Sequence, residues 1–379
     1  MVESAVHKKE TTRFKGHFNS NQNLYQVEAY WDEDEGFIIL HLLKNKKLVF
    51  SRRVAVPPHT KREEIAHQAR ELQRAEMQII HLLFAICGKI TEKGDGASHN
   101  SLGLIFLSKE FLEEAKEQFL TALVKAPNFS EAYSNLGVVY LKLGMPDDAI
   151  KVLETAVKLD SNFPDFYNNL GHAFMEKRMY PEAEEQFQRA LDLNANYQEV
   201  YLNLGFCCLD RADYEGTVES DHLLKEALQY FEKAHKGSST SDRKFEALLK
   251  KANNWEDLSR IYMYLRSQLT EGSSMQIKSL CNFFTLHFKY DHKVLDKRSM
   301  EYYLRQLSRE LASGKNFPDL RTDFGIAYLF YAAYFLDLAK EQFLKAKSLP
   351  RTRELAVKNL ITLDTFHSGL NDVLESVVK

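Results

Sequence analysis

The sequence predicts a mainly α-helical fold, a solenoid of helical hairpins preceded by a small antiparallel β-meander and a long helix. Three observations predict it. A leucine-glycine pair returns every 34 residues, at Leu102-Gly103, Leu136-Gly137, Leu170-Gly171 and Leu204-Gly205. A fixed period of this size is the mark of stacked helix-turn-helix units. Before the repeats, Tyr25, Val27, Ala29 and Trp31 alternate with period two, as in a half-buried strand. Between the two patterns, Ile65, Leu72, Ile79 and Ile86 recur at sevens along one helical face.

Taken in order, Arg13 to Phe18 reads as a short first strand, Leu24 to Trp31 as a second and Phe37 to Leu43 as a third. After a Lys44-Asn45-Lys46-Lys47 turn, a fourth strand faces Leu48, Phe50 and Val54 one way. Pro57-Pro58 ends the sheet, and Thr60-Lys-Arg-Glu63 has the form of a capping box opening a helix that runs to about Ile90. The seam of that helix packs within the chain, or else forms a homodimer through residues 60–90.

From Gly96 the repeats begin, in frames at Gly96, Ser130, Pro164 and Gln198. Tyr133, Tyr167 and Tyr201 share one position, with His99 in the first unit. Ala115, Ala149 and Ala183 share another in the second helices, followed by Phe119, Leu153 and Phe187, then Ala122, Ala156 and Ala190. Small residues belong where helices cross closely, and the large ones fill the gaps beside them. Pro146 and Pro181 fall in first turns, where a missing amide hydrogen does no harm.

This pattern resembles the tetratricopeptide repeat (TPR), a helical-hairpin solenoid. The resemblance implies four repeats over 94–236, the fourth with a polar insertion at about 213–221. It also implies degenerate helical repeats over 237–379, with candidate helices Phe245–Ala252, Trp255–Leu269, Met275–Tyr290 and Ser299–Leu311. One further unit at about 318–350 carries Phe324-Gly325, Tyr328, Ala339, Phe343 and Ala346, and a capping helix closes the chain. Residues 1–93 form a separate N-terminal unit of meander and long helix.

In such a solenoid the first helices line the concave side, so the resemblance also names a protein-binding groove. Its acidic row is Glu131, Asp165 and Glu199, and its amide row is Asn135, Asn169 and Asn203. Two apolar rows follow: Leu104, Val138, His172 and Phe206, then Leu107, Leu141, Met175 and Leu209. The basic pairs with which some family members grip an acidic chain terminus are absent, because the corresponding places are Ser108, Lys142, Glu176 and Asp210. A basic or amphipathic protein segment suits the charges.

Charge distribution points the same way. Net charge is −3, divided as +3 over 1–93, −11 over 94–236 and +5 over 237–379. An acidic middle argues against nucleic acid as the ligand of the repeats. No apolar run is long enough to span a bilayer and no secretory pattern opens the chain, so a cytoplasmic protein is expected. The cysteines, Cys87, Cys207, Cys208 and Cys281, lack metal or redox spacing. Neither a phosphate loop, a nucleophile elbow nor a metal frame is present, so no enzymatic activity, cofactor or metal is expected. The leading expectation is a protein-interaction adaptor or scaffold. The alternatives are a regulatory protein whose N-terminal unit binds a ligand or nucleic acid through Lys44, Lys46, Lys47, Arg52 and Arg53, and a self-assembling structural subunit.

Overall fold

The computed structural model describes residues 13–20, 22–215, 220–236, 243–250, 252, 255–270, 282, 283, 286, 290, 318–347 and 353–378. Four strands, β1 (Arg13–Ser20), β2 (Asn23–Asp32), β3 (Phe37–Lys44) and β4 (Lys47–Ala55), form an antiparallel sheet in the order β1-β2-β3-β4. The alternation in β2 places Tyr25, Val27 and Ala29 on one face, joined by Ile38, Leu40 and Leu42 of β3, all of them buried. Asn45 and Lys46 both take positive φ, 51° and 67°, the two-residue turn whose twist matches that of the strands it joins. A register shift between Leu42 and Leu43 pairs Leu42 with Phe50 but Leu43 with Leu48. This bulge turns Val49 toward the core and leaves Leu48 exposed, against the expected alternation.

One helix, α1 (Arg62–Lys93), covers the buried face of the sheet. Of the seam read at sevens, Ile65, Ile79 and Ile86 are buried within the chain and Leu72 is half-buried against the same core. The seam is thereby packed within the chain. The expected capping box does not form. Thr60 closes a turn after Pro57, its Oγ1 donating to the Pro57 carbonyl at 2.6 Å, and Lys61 starts the helix without a side-chain cap.

The repeats follow as four hairpins: α2 (Gly96–Ser108) with α3 (Leu112–Lys125), α4 (Ser130–Lys142) with α5 (Pro146–Leu159), α6 (Pro164–Glu176) with α7 (Tyr180–Leu193), and α8 (Gln198–Glu215) with α9 (Ser220–Lys236). Each first helix starts at the residue that opens its frame. At every crossing a glycine faces a large buried side chain. A Cβ would meet Phe119 at 2.6 Å from Gly103, Leu153 at 2.5 Å from Gly137 and Phe187 at 2.7 Å from Gly171, and at Gly205 it would run into the Phe231 ring. The turns inside the first three hairpins each place one residue in the left-handed region, Glu110, Gly144 and Arg178, as helix C-termini commonly do.

In the fourth unit helix takes in both ends of the loop expected at 213–221, since α8 runs to Glu215 and α9 starts at Ser220, and 216–219 lie outside the described residues. The added turn has something to pack on: the Arg178 guanidinium lies 4.7 Å over the Tyr214 ring. Further on come α10 (Arg243–Leu249), α11 (Trp255–Thr270), α12 (Pro318–Lys347) and α13 (Arg353–Val378). The helix expected over Ser299–Leu311 lies outside the described residues, as does most of Met275–Tyr290. Where a hairpin was expected over 318–350, α12 is one continuous helix that packs on α13. Between Tyr328 and Ala339 no glycine, proline or asparagine interrupts it.

Sheet, α1 and first hairpin share a single apolar core. Tyr25 packs on Phe84 at 4.6 Å between ring centroids, and Phe84 on Phe106 at 5.5 Å. Polar ties reinforce this contact. The Tyr25 hydroxyl donates to Glu114 at 3.1 Å, Lys44 reaches the same carboxylate at 2.5 Å, and Lys109 pairs with the buried Glu76 at 2.5 Å.

Candidate functional site

The face built by the first helices α2, α4, α6 and α8 carries all the residues named for the groove, at graded depth. Glu131 and Asp165 are exposed and Glu199 is half-buried. Asp165 accepts a hydrogen bond from the Tyr197 hydroxyl at 2.5 Å, and Glu131 from the Ser130 hydroxyl at 3.1 Å. Neither carboxylate forms an ion pair among the described residues. Nearby acids differ in this respect: Glu110 is bridged by Lys142 at 3.0 Å and Asp147 by Lys177 at 2.8 Å.

The amide row has a structural use, one that the sequence offered beside ligand contact. Asn135 Nδ2 donates to Asn100 Oδ1 at 2.9 Å, Asn169 Nδ2 to Ser134 Oγ at 3.1 Å, and Asn203 Nδ2 to Asn168 Oδ1 at 2.9 Å. Every bond joins one first helix to the one before it, so the row is a ladder that sets the spacing between repeats. The signal was present in the sequence as adjacent polar pairs, Ser134-Asn135 and Asn168-Asn169. Each asparagine spends one N–H on the ladder and keeps its carbonyl oxygen and second N–H; Asn203 is buried, while Asn135 and Asn169 are half-buried.

Of the apolar rows, the first is half-buried throughout: Leu104, Val138, His172 and Phe206. Phe206 is stacked on Tyr262 of α11 at 4.4 Å. The deeper row was expected to be an open floor, and three of its four members are core. Leu107, Met175 and Leu209 are buried, and only Leu141 is partly accessible. Their burial follows from packing partners the period does not reveal: Leu107 joins the core under the sheet, Met175 packs with Tyr180 and Phe187, and Leu209 packs with α9 and α11 residues.

A family model for the tetratricopeptide repeat matches residues 130–163 and 164–197, the second and third hairpins. The chain carries tetratricopeptide repeats. Solved structures similar to it include YrrB, titled a TPR protein with an unusual peptide-binding site. YrrB is 22% identical over 55% of this chain and 95% of that one, with a TM-score of 0.35. PilF of Pseudomonas aeruginosa is 22% identical over 61% and 95%, with a TM-score of 0.36. A tetratricopeptide repeat protein of Parabacteroides merdae is 17% identical over 71% and 98%, with a TM-score of 0.33. No curated protein matches the chain.

Tetratricopeptide repeats are protein-interaction scaffolds in general, and the chemistry along this face suits binding. Burial pushes the Tyr197 and Tyr180 phenols up, with Asp165 and Asp210 adding to the effect, so both stay protonated donors to those carboxylates. The vicinal thiols of the fourth repeat are buried, and burial raises both, Cys208 to about 12. Cys87 is likewise pushed up to about 11. Thiols held this far from ionisation pack as small apolar groups. His99 fills the slot that tyrosine takes in the later repeats, buried, with Nδ1 2.8 Å from Gln118 Oε1. At the basic turn of the sheet, Lys44 is tied to Glu114 and Arg53 to Glu35 at 2.9 Å. Among the described residues no helix is long and apolar enough to cross a membrane.

Proposed function

We propose that the chain is a cytoplasmic adaptor whose repeats hold a basic or amphipathic protein segment against α4 and α6. The observation that carries this reading is the pair Glu131 and Asp165, exposed and without ion pairs among the described residues, beside the half-buried Val138, His172 and Leu141. A segment with lysine or arginine at its edge and apolar side chains toward the helices complements both features. The amide groups left over on Asn135 and Asn169 can bond its backbone. The N-terminal sheet and α1, sharing a core with the first repeat, would then set the location or assembly state of a single rigid unit.

The test is Glu131→Lys with Asp165→Lys in the full chain. Met175 and Leu209 cannot serve as probes because they are buried. With up to about 1 kcal/mol per exposed charge pair, reversing both should weaken a basic amphipathic peptide by about 2- to 30-fold and flatten the salt dependence of its binding. Fluorescence anisotropy on the peptide, with co-purification from native lysate in parallel, reads the effect. Unchanged affinity together with an unchanged partner set would sink the proposal.

A further inference from the structure

We propose that α12 is a repeat opened into one helix, and that the surface it leaves bare is filled by α12 of a second copy of the chain lying antiparallel to it. The surface is separate from the groove, since it involves neither the first helices of the four hairpins nor their acidic row. One stretch of sequence occurs twice: Ala339-Lys-Glu-Gln-Phe-Leu-Lys-Ala346 in α12 nearly repeats Ala115-Lys-Glu-Gln-Phe-Leu-Thr-Ala122 in α3. In α3, Ala115 and Phe119 are fully buried and Gln118 is 5% exposed. At the same places in α12, Ala339 and Phe343 are only half-buried and Gln342 is exposed. The difference lies in what faces them. Phe119 closes on Gly103, where an added Cβ would meet it at 2.6 Å, whereas an added Cβ at Gly325, the matching glycine of α12, meets nothing within 4 Å. Gly325 and Phe343 stand about 27 Å apart along one continuous helix, so the pair that closes a repeat cannot meet within a single α12.

The bare surface is continuous and apolar. From Phe324 to Leu336 no residue is charged, and a helix that is apolar all round belongs in an interior. Yet Gly325, Tyr328, Ala332 and Phe335 are exposed, the two aromatics by 52% and 45%. With Ala339 and Gln342 they advance by alternate steps of three and four residues, the spacing of a seam between paired helices. Small and large side chains alternate along this seam, and only an antiparallel copy sets one kind against the other. About a two-fold axis between Ala333 and Tyr334, Gly325 comes opposite Gln342, Tyr328 opposite Ala339 and Ala332 opposite Phe335. Charge selects the same arrangement: Asp319 and Asp323 come level with Lys347 and Lys345 of the second copy, whereas a parallel pair sets like charge beside like. Tyr328 and Phe335 alone offer roughly 200 Å² per copy, about a quarter of what each partner of a standard interface buries. Contacts that the earlier hairpins make within the chain are here made between chains, and twice over, which is the economy of a domain swap.

Light scattering on the full chain across a concentration series tests the proposal, and the mass should rise towards that of two chains. Ala332→Glu puts a charge into the seam at a side chain that is exposed in the single chain, and should raise the dissociation constant by about tenfold or more, with circular dichroism unchanged. The mass of one chain at every concentration overturns the proposal. So does a dimer that Ala332→Glu leaves intact, since another surface then holds it. Register has its own test in Tyr328→Cys with Ala339→Cys in the same chain. The two positions lie about 16 Å apart along one helix, too far for a disulfide within a chain, but they face each other between copies. Mild oxidation should give a covalent dimer of the double variant and none of the wild type or of either single variant. Failure of the double variant to cross-link overturns the proposal, as does a covalent dimer of Tyr328→Cys alone, which only a parallel pair would form. Glu131→Lys/Asp165→Lys should leave the mass unchanged; a fall to one chain in that variant assigns the dimer to the groove and overturns the proposal while leaving the groove itself in place.

Discussion

Replacing Gly137 with alanine tests the packing logic of the whole solenoid. A Cβ there would lie 2.5 Å from Leu153 Cγ, 2.7 Å from Cδ2 and 2.9 Å from Cδ1. The closest of these is roughly 1 Å inside carbon–carbon contact. Leu153 is fully buried and the atom met first is its branch point, so the leucine has no free end to swing aside. Two effects oppose each other. Alanine gains about 1 kcal/mol over glycine within a helix, and overpacking costs about 1–3 kcal/mol. Gly88 isolates the first effect, since it is an exposed residue of α1 whose added Cβ meets nothing within 4 Å. Gly88→Ala should therefore stabilise by about 1 kcal/mol, and Gly137→Ala should fall below it by about 1–3 kcal/mol. Urea unfolding followed by far-UV circular dichroism measures the difference. Adding Leu153→Ala to Gly137→Ala should recover part of the loss, with a coupling of about 0.5–3 kcal/mol. If Gly137→Ala is as stable as Gly88→Ala, or the double-mutant cycle is additive, the close-crossing account is wrong.

Three further outcomes are expected. Asn203→Ala leaves the buried Asn168 carbonyl without its ladder donor and should cost about 1–3 kcal/mol; Asn169→Ala, half-buried and bonded to Ser134, should cost less, and urea midpoints rank the two. Lys109→Met strands the Glu76 carboxylate, 4% exposed, and should cost about 3 kcal/mol, most of it restored by Glu76→Gln in the same chain; an unaltered midpoint for the single variant would remove the bridge from the account of how α1 meets the first repeat. His41 is held below its ordinary value of 6.5 by burial and then by Arg13, with Glu28 opposing. Its neutral form is therefore the one the fold favours, so its contribution is present above about pH 6.5 and is lost as pH falls through the lowered value. His41→Gln should flatten the melting temperature against pH in that window, and identical profiles would exclude His41 as the source.

How much could be read from the sequence depended on whether a residue's neighbours come from its own repeat. The crossing glycines, the alanines beside them and the start of every first helix depend on contacts within 34 residues, and one period exposes them all. Strand alternation in β2 is legible for another local reason: the pleat puts Tyr25, Val27 and Ala29 on one face whichever element covers it. Failures begin where the partner is distant or the backbone departs from its period. The bulge between Leu42 and Leu43 exchanges Leu48 for Val49 without any glycine to announce it. Leu107, Met175 and Leu209 occupy one repeat position yet are buried by three unrelated neighbours, so no reading of that position alone could tell floor from core. The asparagine row shows the same limit from the other side. Its residues were identified, but their amides turn toward the preceding helix, and this contact, repeated at Asn135, Asn169 and Asn203, depends on a polar partner in the repeat before, which no single repeat position announces.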